Sequence, residues 1–326
     1  MRSPPARNVV VTGASSGLGL EIARFLSAAR VRVVLACRDR ERGERARADI
    51  LARGDASPDD VQVTLLDVAD LDSVRRFAAR VPETDALVCN AAVQILGGVR
   101  RNHLGVEETF ATNHLGHFLL GRLMLPAMRE GSKIVFVSSN THDPKRWTGM
   151  PAPSADDLEA LATGGSFGDE SDALAGRRRY TSSKLCNVLC AYELARRLST
   201  GSARSKSVRV YAFDPGLMPG TGLAREYGPA ARWAWRTLMP IATRVAPNVN
   251  TVETSARRLV ALVTGDAEAP SGAYVSCGRV TRSSEASYDE ELAGRLWELS
   301  SRLAGVAPDL RDDDGLANAA AAQMRP

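Results

Sequence analysis

Short runs of Val, Leu, Ile and Ala alternate with amphipathic stretches along most of the chain. Each apolar run has the length of a strand, whereas the stretches between them show the apolar spacing of helices. The alternation continues to about residue 280 without a change in composition. The predicted strands cover residues 8–12, 31–36, 61–66, 85–89, 132–137, 208–213 and 272–276.

The predicted strands lack the polar alternation of a half-exposed sheet, so we expect helices to cover both of its faces. Strands that alternate with helices predict an α/β fold, here a doubly wound Rossmann-type domain with a mostly parallel seven-stranded sheet. We expect this single domain to span residues 1–308. The tail at 309–326 contains DDD and AAAA, a composition that predicts poor order.

Two intervals interrupt the alternation, at about residues 140–179 and 217–247. The first is rich in Pro, Gly, Ser and Asp, and the second carries two of the four Trp. Substrate sites in doubly wound folds lie in loops beyond the carboxyl ends of the strands. Both intervals are therefore candidate substrate loops, with surface decoration as the alternative.

Composition narrows the classes of function. The 42 basic residues are scattered among 38 acidic ones for a net charge of +4, which argues against a nucleic-acid partner. The five Cys form no CxxC pair, and His114 and His117 lack further ligands, so no metal site is predicted. With no signal region and no apolar run of membrane length, we expect a soluble cytoplasmic protein with no integral membrane segment.

A glycine-rich turn follows the first predicted strand and opens the first predicted helix. Backbone amides in such a turn can approach a pyrophosphate, which the positive end of the helix dipole stabilises. The spacing is G-x-x-x-G-x-G, which differs from the common dinucleotide pattern. The turn predicts a nucleotide cofactor bound by Gly13, Ser15, Ser16, Gly17, Leu18 and Gly19.

The end of the second strand distinguishes NAD from NADP, because an acidic residue there binds the ribose hydroxyls and repels a 2′-phosphate. This strand ends in Cys37 and Arg38, and a guanidinium can pair with the phosphate. Asp39 follows one residue too late and is expected to face solvent. NADP(H) is the predicted cofactor, with an ordinary surface charge as the alternative for Arg38.

Tyr180 and Lys184 begin a long amphipathic segment, four residues apart and so on one helical face. Chance gives about 0.07 such pairs in a chain with six Tyr and four Lys. A nearby ammonium group lowers the pKa of a phenol, normally about 10, and prepares it as a general acid. Ser139 ends the fifth strand, where its hydroxyl could bond a substrate oxygen.

These motifs resemble those of the short-chain dehydrogenase/reductase family, in the same order, from Val9 to about Leu303. The turn TGASSGLG resembles the family's cofactor turn, and Asn90-Ala91-Ala92 its Asn-Ala-Gly motif, with Ala in place of Gly. The resemblance implies four catalytic residues and a further set of cofactor contacts. The catalytic residues are Asn113, Ser139, Tyr180 and Lys184, and the cofactor contacts add Asp67, Val68, Asn90, Ala91, Pro215, Gly216 and Thr221 to the turn and Arg38.

The resemblance also implies roles. Ser139 would position a substrate carbonyl, Tyr180 would protonate it, and Lys184 would tune Tyr180 and bind the cofactor ribose, a cofactor contact that Tyr180 shares. Asn113 would anchor a water in a proton relay, and Asp214-Pro215-Gly216 would orient the nicotinamide.

Two groups within the family are similar to this chain. ACR after the second strand and the long gap before Tyr180 resemble the retinol dehydrogenases and carbonyl reductases. LVCNAAV, TNHLGHFLL and SKLCN resemble the light-dependent protochlorophyllide reductases, which carry Cys after the Pro-Gly of the nicotinamide loop where this chain has Leu217.

The sequence therefore predicts an NADP(H)-dependent oxidoreductase that transfers a hydride between the nicotinamide and a carbonyl or secondary alcohol of an apolar small molecule. One alternative is reduction of a pigment C=C bond. A second is an NADP(H)-binding protein without turnover. Either a homodimer or a monomer is compatible with the resemblance.

Overall fold

The computed structural model describes residues 7–53, 56–165, 170–201, 207–219 and 249–310. Its described residues form one eight-stranded sheet in the order β3-β2-β1-β4-β5-β6-β7-β8. The first seven strands are parallel, as expected, and β8 pairs with β7 in the antiparallel direction. The strands are β1 Asn8–Thr12, β2 Arg32–Cys37, β3 Val61–Leu65, β4 Thr84–Cys89, β5 Met128–Val137, β6 Arg209–Asp214, β7 Ala273–Ser276 and β8 Arg279–Thr281.

The sequence missed β8, and its count of seven strands was one too few. This strand has three residues, all exposed, so it carries no apolar run to detect. Cys277 and Gly278 connect it to β7 with φ of 50° and 82°, the left-handed conformation of a two-residue hairpin turn. Cys is uncommon in that conformation, so the turn chemistry did not predict a hairpin.

Helices cover both faces of the sheet. Alternate strand residues point to opposite faces, so Val10 and Val34 join one apolar cluster while Val9 and Val33 join the other. The first cluster includes residues from α3, α5, α6, α7 and α9, and the second from α1, α2 and α8. These helices are α1 Gly17–Ala28, α2 Arg40–Leu51, α3 Leu71–Ala78, α4 Glu108–Phe110, α5 Gly116–Met124, α6 Leu158–Thr163, α7 Asp172–Thr200, α8 Val252–Thr264 and α9 Glu290–Ala304.

The strand order reverses between β1 and β4, which creates a crevice at their carboxyl ends. Thr12 ends β1, and Asn90 directly follows β4. Among the described helices, none is long and apolar enough to cross a membrane. Thr221, most of the interval 217–247 and the tail from residue 311 lie outside the described residues.

Gly116 begins α5 in direct contact with the backbone that follows β3. A Cβ there would lie 1.8 Å from the Val68 carbonyl oxygen, whereas a Cβ on Gly294 in α9 would have no neighbour within 4 Å. We expect Gly116→Ala to lower the free energy of unfolding by about 3 kcal/mol. Gly294→Ala is expected to raise it by about 0.5–1 kcal/mol through helix propensity. Urea unfolding followed by circular dichroism compares the two, and equal effects would contradict the packing described for Gly116.

Candidate active site

A cavity of about 920 Å³ opens along the crevice at the carboxyl ends of the strands. Its wall combines the glycine turn, the ends of β2 and β4, the segment after β5, the first turns of α7 and the loop after β6. The wall includes most of the residues predicted for the site, namely Gly13, Ser15, Ser16, Gly17, Leu18, Arg38, Asp67, Val68, Asn90, Ala91, Ser139, Tyr180, Lys184, Pro215 and Gly216. Gly19 and Asn113 are buried and are not among the residues that line the cavity.

The glycine turn is held between neighbouring strands. Gly13 N–H donates to Ala36 O at 2.9 Å, and the Thr12 hydroxyl accepts the Asn90 and Ala91 amides at 2.8 and 2.9 Å. The Asn90 side chain returns a bond to Thr12 O at 2.8 Å. A Cβ on Gly19 would lie 2.6 Å from Gly13 O and 2.7 Å from Asn90 Nδ2, so this approach requires glycine.

The amino end of α1 faces the cavity with its amides available to an anion. The capping residue, Ser16, makes no side-chain capping bond within the described chain, and the first turn of α1 contains no acidic residue. Unbonded amides and the helix dipole together favour a phosphate group. The turn therefore fits the pyrophosphate of a dinucleotide cofactor.

At the end of β2, Cys37 is buried while Arg38 and Asp39 are exposed. The Asp39 carboxylate caps α2 by accepting the Arg42 N–H at 3.0 Å. Arg42 joins Arg38 in the cavity wall, which the sequence analysis missed. Its spacing of four residues from Arg38 was a usable signal, although the many Arg between 38 and 47 obscured it.

Asp67 and Val68 follow β3 and line the cavity. Asp67 Oδ1 accepts the Ala69 N–H at 3.0 Å, and the Ser73 hydroxyl accepts the Asp67 N–H at 3.0 Å. These local bonds fix the direction of the Asp67 carboxylate. The Val68 carbonyl lies against Gly116.

Tyr180 and Lys184 lie on one face of α7 and line the cavity together. They are 6% and 2% exposed, and Lys184 Nζ lies 5.5 Å from the centroid of the Tyr180 ring. Nζ donates to Val137 O at 3.0 Å. Burial lowers the pKa of Lys184 to about 8, against a smaller raising effect of Asp214, so the group is still charged at pH 7.

The two serines after β5 have different positions. Ser138 is buried and donates to Lys184 O at 2.7 Å, which holds α7 against the strand. Ser139 lines the cavity, and its Oγ accepts the Thr141 N–H at 3.3 Å. Since that bond uses an oxygen lone pair, the hydroxyl proton of Ser139 can be donated into the cavity.

His142, which the sequence analysis did not select, fixes the backbone of Ser139. Its Nε2 accepts the Ser284 N–H at 3.2 Å, so Nδ1 carries the proton and donates to Ser139 O at 2.6 Å. Burial lowers the pKa of His142, which keeps the ring neutral and in this tautomer. Ser284 is distant in sequence, and no local pattern could have found this contact.

Asn113 lies in a π-helical turn, Ala111–Leu115, between α4 and α5, and it is fully buried. Its amide nitrogen donates to Val93 O at 3.0 Å and Ser183 Oγ at 2.9 Å, and its Oδ1 accepts the Val93 N–H at 2.8 Å. The side chain thus clamps the backbone after β4 to α7. In the structure, Asn113 therefore acts as a positioning residue.

His117 connects Asn113 to the glycine turn. Its Nδ1 donates to Asn113 O at 3.2 Å, which leaves Nε2 to accept the Thr12 hydroxyl at 2.9 Å. Burial lowers the pKa of His117 to about 4, so the ring is neutral at physiological pH. From sequence, His117 was predicted to be structural and not a metal ligand, but its contact with Thr12 was missed.

The loop after β6 is fixed by bonds to distant segments. Asp214 Oδ1 accepts the Gly216 N–H at 2.9 Å, and Asp214 Oδ2 accepts the Ser276 hydroxyl at 2.8 Å. Pro215 O accepts the Asn250 amide at 3.0 Å and the Ser255 hydroxyl at 2.7 Å. Asn250 and Ser255 were missed because they lie beyond the irregular interval and carry no motif of their own.

Comparisons with known proteins agree with this geometry. Residues 7–155 match the family model described as short chain dehydrogenase. The chain is 35% identical over 327 residues to Protochlorophyllide reductase A, chloroplastic, of Arabidopsis thaliana, an alignment covering 92% of this chain and 77% of that protein. It is also 35% identical over 325 residues to Protochlorophyllide reductase of Avena sativa, covering 92% and 100%.

A solved structure shares the fold over nearly the whole chain. An uncharacterized protein from Mycobacterium Paratuberculosis has a TM-score of 0.66 and 31% identity, with 92% of this chain and 94% of that chain covered. The glycine turn, the Tyr180–Lys184 pair and these relatives agree on an oxidoreductase that uses a nicotinamide cofactor and a small-molecule substrate. This chain belongs to the short-chain dehydrogenase/reductase family.

Proposed function

We propose that this protein uses NADP(H) to interconvert a carbonyl and a secondary alcohol on an apolar substrate, with Tyr180 as the proton donor. The observation that carries the proposal is the cavity itself. Its wall runs from Arg38 and the glycine turn at one end to Ser139, Tyr180 and Lys184 at the other. A cofactor and a substrate can therefore bind end to end in one space.

Each group at the reactive end has a task that its surroundings support. A bound reduced nicotinamide supplies the hydride. Ser139 donates a hydrogen bond to the carbonyl oxygen as negative charge develops there, and Tyr180 protonates that oxygen. The charged Lys184 lies beside the phenol, where it stabilises the negative charge that develops as the proton leaves, and it offers further N–H donors to the cofactor ribose. Asn113, His117 and His142 position this machinery from behind the wall.

Apolar side chains in the cavity wall support an apolar substrate. Trp147 is 97% exposed and lines the cavity together with Met150, Leu217 and Met218. An exposed Trp of this kind is typical of a surface that contacts an apolar ligand. A panel of apolar ketones and aldehydes, followed by NADPH absorbance, tests the activity. Tight NADPH binding without oxidation by any member would favour the non-catalytic alternative.

The preference for NADP(H) rests on Arg38 and Arg42, since Asp39 already caps α2. We expect Arg38→Ala to raise KM for NADPH about 10–100-fold by removing charge-assisted bonds to the 2′-phosphate, with little change for NADH. Arg40→Ala is the matched control, because Arg40 is exposed and lies outside the described wall. Initial rates with both cofactors measure the effect. Equal losses for NADPH and NADH would contradict the assignment of Arg38.

A second candidate function is C=C reduction of a pigment, which the 35% identity to protochlorophyllide reductases over 92% of the chain favours. Those enzymes carry Cys directly after the Pro-Gly of the nicotinamide loop, whereas this chain has Leu217 there. The described part of the cavity wall therefore offers no thiol from this loop. Illumination of the protein with NADPH and protochlorophyllide separates the candidates. A light-dependent change in pigment absorption would favour this second function over the first.

We also propose that the protein is cytoplasmic and that it is either a homodimer or a monomer. Fractionation of the native host and light scattering of the purified chain test these two points.

A further inference from the structure

Gln94 is a buried amide in the cavity wall. It is 3% exposed, and neither its Oε1 nor its Nε2 has a hydrogen-bond partner among the described residues. A buried amide without a hydrogen-bond partner is energetically unfavourable, so such a group in a binding cavity is expected to bond a ligand. Gln94 directly follows Val93, and the Asn113 side chain bonds both the N–H and the carbonyl oxygen of Val93.

Arg177 lies beside this segment on the helix that carries Tyr180. A Cβ on Gly176 would lie 2.1 Å from Ile95 O, so α7 and the segment after β4 meet in direct backbone contact. Arg177 follows that glycine and, like Gln94, lines the cavity. A guanidinium and an amide thus share one part of the wall.

Arg177 also shares a helical face with the catalytic tyrosine. It lies three positions before Tyr180, which is a rise of about 4.5 Å along α7. A ligand group bound by Arg177 therefore lies several bonds away from a carbonyl held at Tyr180.

Charge along the described wall is asymmetric. At the end where the adenosine is expected, the acidic residues Asp39 and Asp67 are offset by two cations, Arg38 and Arg42. The cations Arg146, Arg177 and Lys184 lie at the other end. Arg146 has an acidic neighbour in Asp143 at 3.6 Å, outside the wall. The reactive end therefore favours an anion.

We propose that Arg177 and Gln94 bind a carboxylate on the otherwise apolar substrate, several bonds from the reacting carbonyl. The planar guanidinium offers two parallel N–H donors that match a carboxylate, and Gln94 Nε2 adds a donor to the same group. This inference deepens the proposed function and rests on it for the position of the carbonyl.

The test compares a diaryl ketone bearing one carboxylate with its methyl ester, which keeps the size and removes the charge. In the unmodified protein we expect kcat/KM for the acid to exceed that for the ester by about 10-fold or more. Arg177→Met is expected to raise KM for the acid about 10–100-fold and to change the ester less than about 3-fold. Gln94→Leu is expected to act in the same direction with about a 3–10-fold loss.

Arg178→Met is the matched control, since Arg178 pairs with Glu170 and is not part of the described wall. It is expected to keep the preference for the acid. Arg177→Lys, which retains the charge without the fork, should recover part of that preference. If Arg177→Met fails to fold, Gln94→Leu and Arg177→Lys carry the test.

Calorimetric binding of the acid to protein saturated with NADP⁺ provides a readout that needs no turnover. If the acid binds in an Arg177-dependent way but neither ketone is reduced in the NADPH assay, the carboxylate site is supported and the proposed reaction is overturned. Reduction of acid and ester at equal kcat/KM would overturn the carboxylate site and leave the reaction standing. Equal losses of kcat/KM for the acid and the ester in Arg177→Met would likewise overturn the carboxylate site, because Arg177 would then act on the fold alone.

Discussion

Tyr180→Phe is expected to lower kcat for ketone reduction about 10²–10⁴-fold, the range for losing a general acid. The substitution removes only the phenolic oxygen, and the ring remains packed beside Lys184. Cofactor affinity should change less than about 10-fold, since a single neutral hydrogen bond is lost. Stopped-flow single turnovers with NADPH measure the chemical step, and fluorescence titration measures cofactor binding.

Tyr192→Phe is the matched control on the same helix. Tyr192 bonds Ser283 at 2.6 Å and lines a different, smaller cavity. Its loss should lower stability by about 1 kcal/mol and leave kcat within about 2-fold. A Tyr180→Phe variant with kcat close to that of the unmodified protein would remove Tyr180 as the proton donor.

Gly19→Ala is expected to weaken NADPH binding about 100-fold. The added methyl group would lie 2.6 Å from Gly13 O and 2.7 Å from Asn90 Nδ2, so the turn must move. Loss of one charge-assisted hydrogen bond to the pyrophosphate, worth about 1.5–3 kcal/mol, weakens binding by up to about 100-fold. Equilibrium dialysis or calorimetry with NADPH measures the change in Kd.

Gly97→Ala serves as the control, because a Cβ on Gly97 would meet no atom within 4 Å and the residue lies outside the described wall. Its Kd should stay within about 2-fold of the original. A folded Gly19→Ala protein that binds NADPH normally would show that the close approach of Gly19 and Gly13 does not shape the phosphate site.

The sequence predicted the strands of this fold well because their burial is local information. Runs such as VVVT and RVVLAC are buried along nearly their whole length, so each reveals its strand without knowledge of its partners. β8 was missed because its three residues are exposed. Its stability comes from pairing with β7, which only the folded chain reveals.

The residues of the candidate site likewise fall into those found from local sequence and those that only the folded chain reveals. Tyr180 and Lys184 share one helix, so their spacing alone brings them together. His142 and Asn250 act through partners far away in sequence, and a pattern search has no access to such pairs. In the sequence Gln94 is an ordinary polar residue, and only the structure shows that it is buried and has no hydrogen-bond partner among the described residues.

The Arg-rich stretch after β2 shows a related limit. Arg38 was predicted from its place at the strand end, but Arg42 joins it only because α2 begins immediately and turns that side chain back to the cavity. Helix geometry fixed by the Asp39 cap therefore decides which of several arginines contribute.

Deuterium transfer tests the central claim most directly. NADPH deuterated at the hydride position of the nicotinamide C4 is incubated with the protein and an apolar ketone in the dark, and the alcohol is analysed by mass spectrometry. We expect one deuterium on the carbinol carbon, formed quickly by the unmodified protein and about 10²–10⁴-fold more slowly by Tyr180→Phe. An alcohol without deuterium, or equal rates for the two proteins, would contradict it.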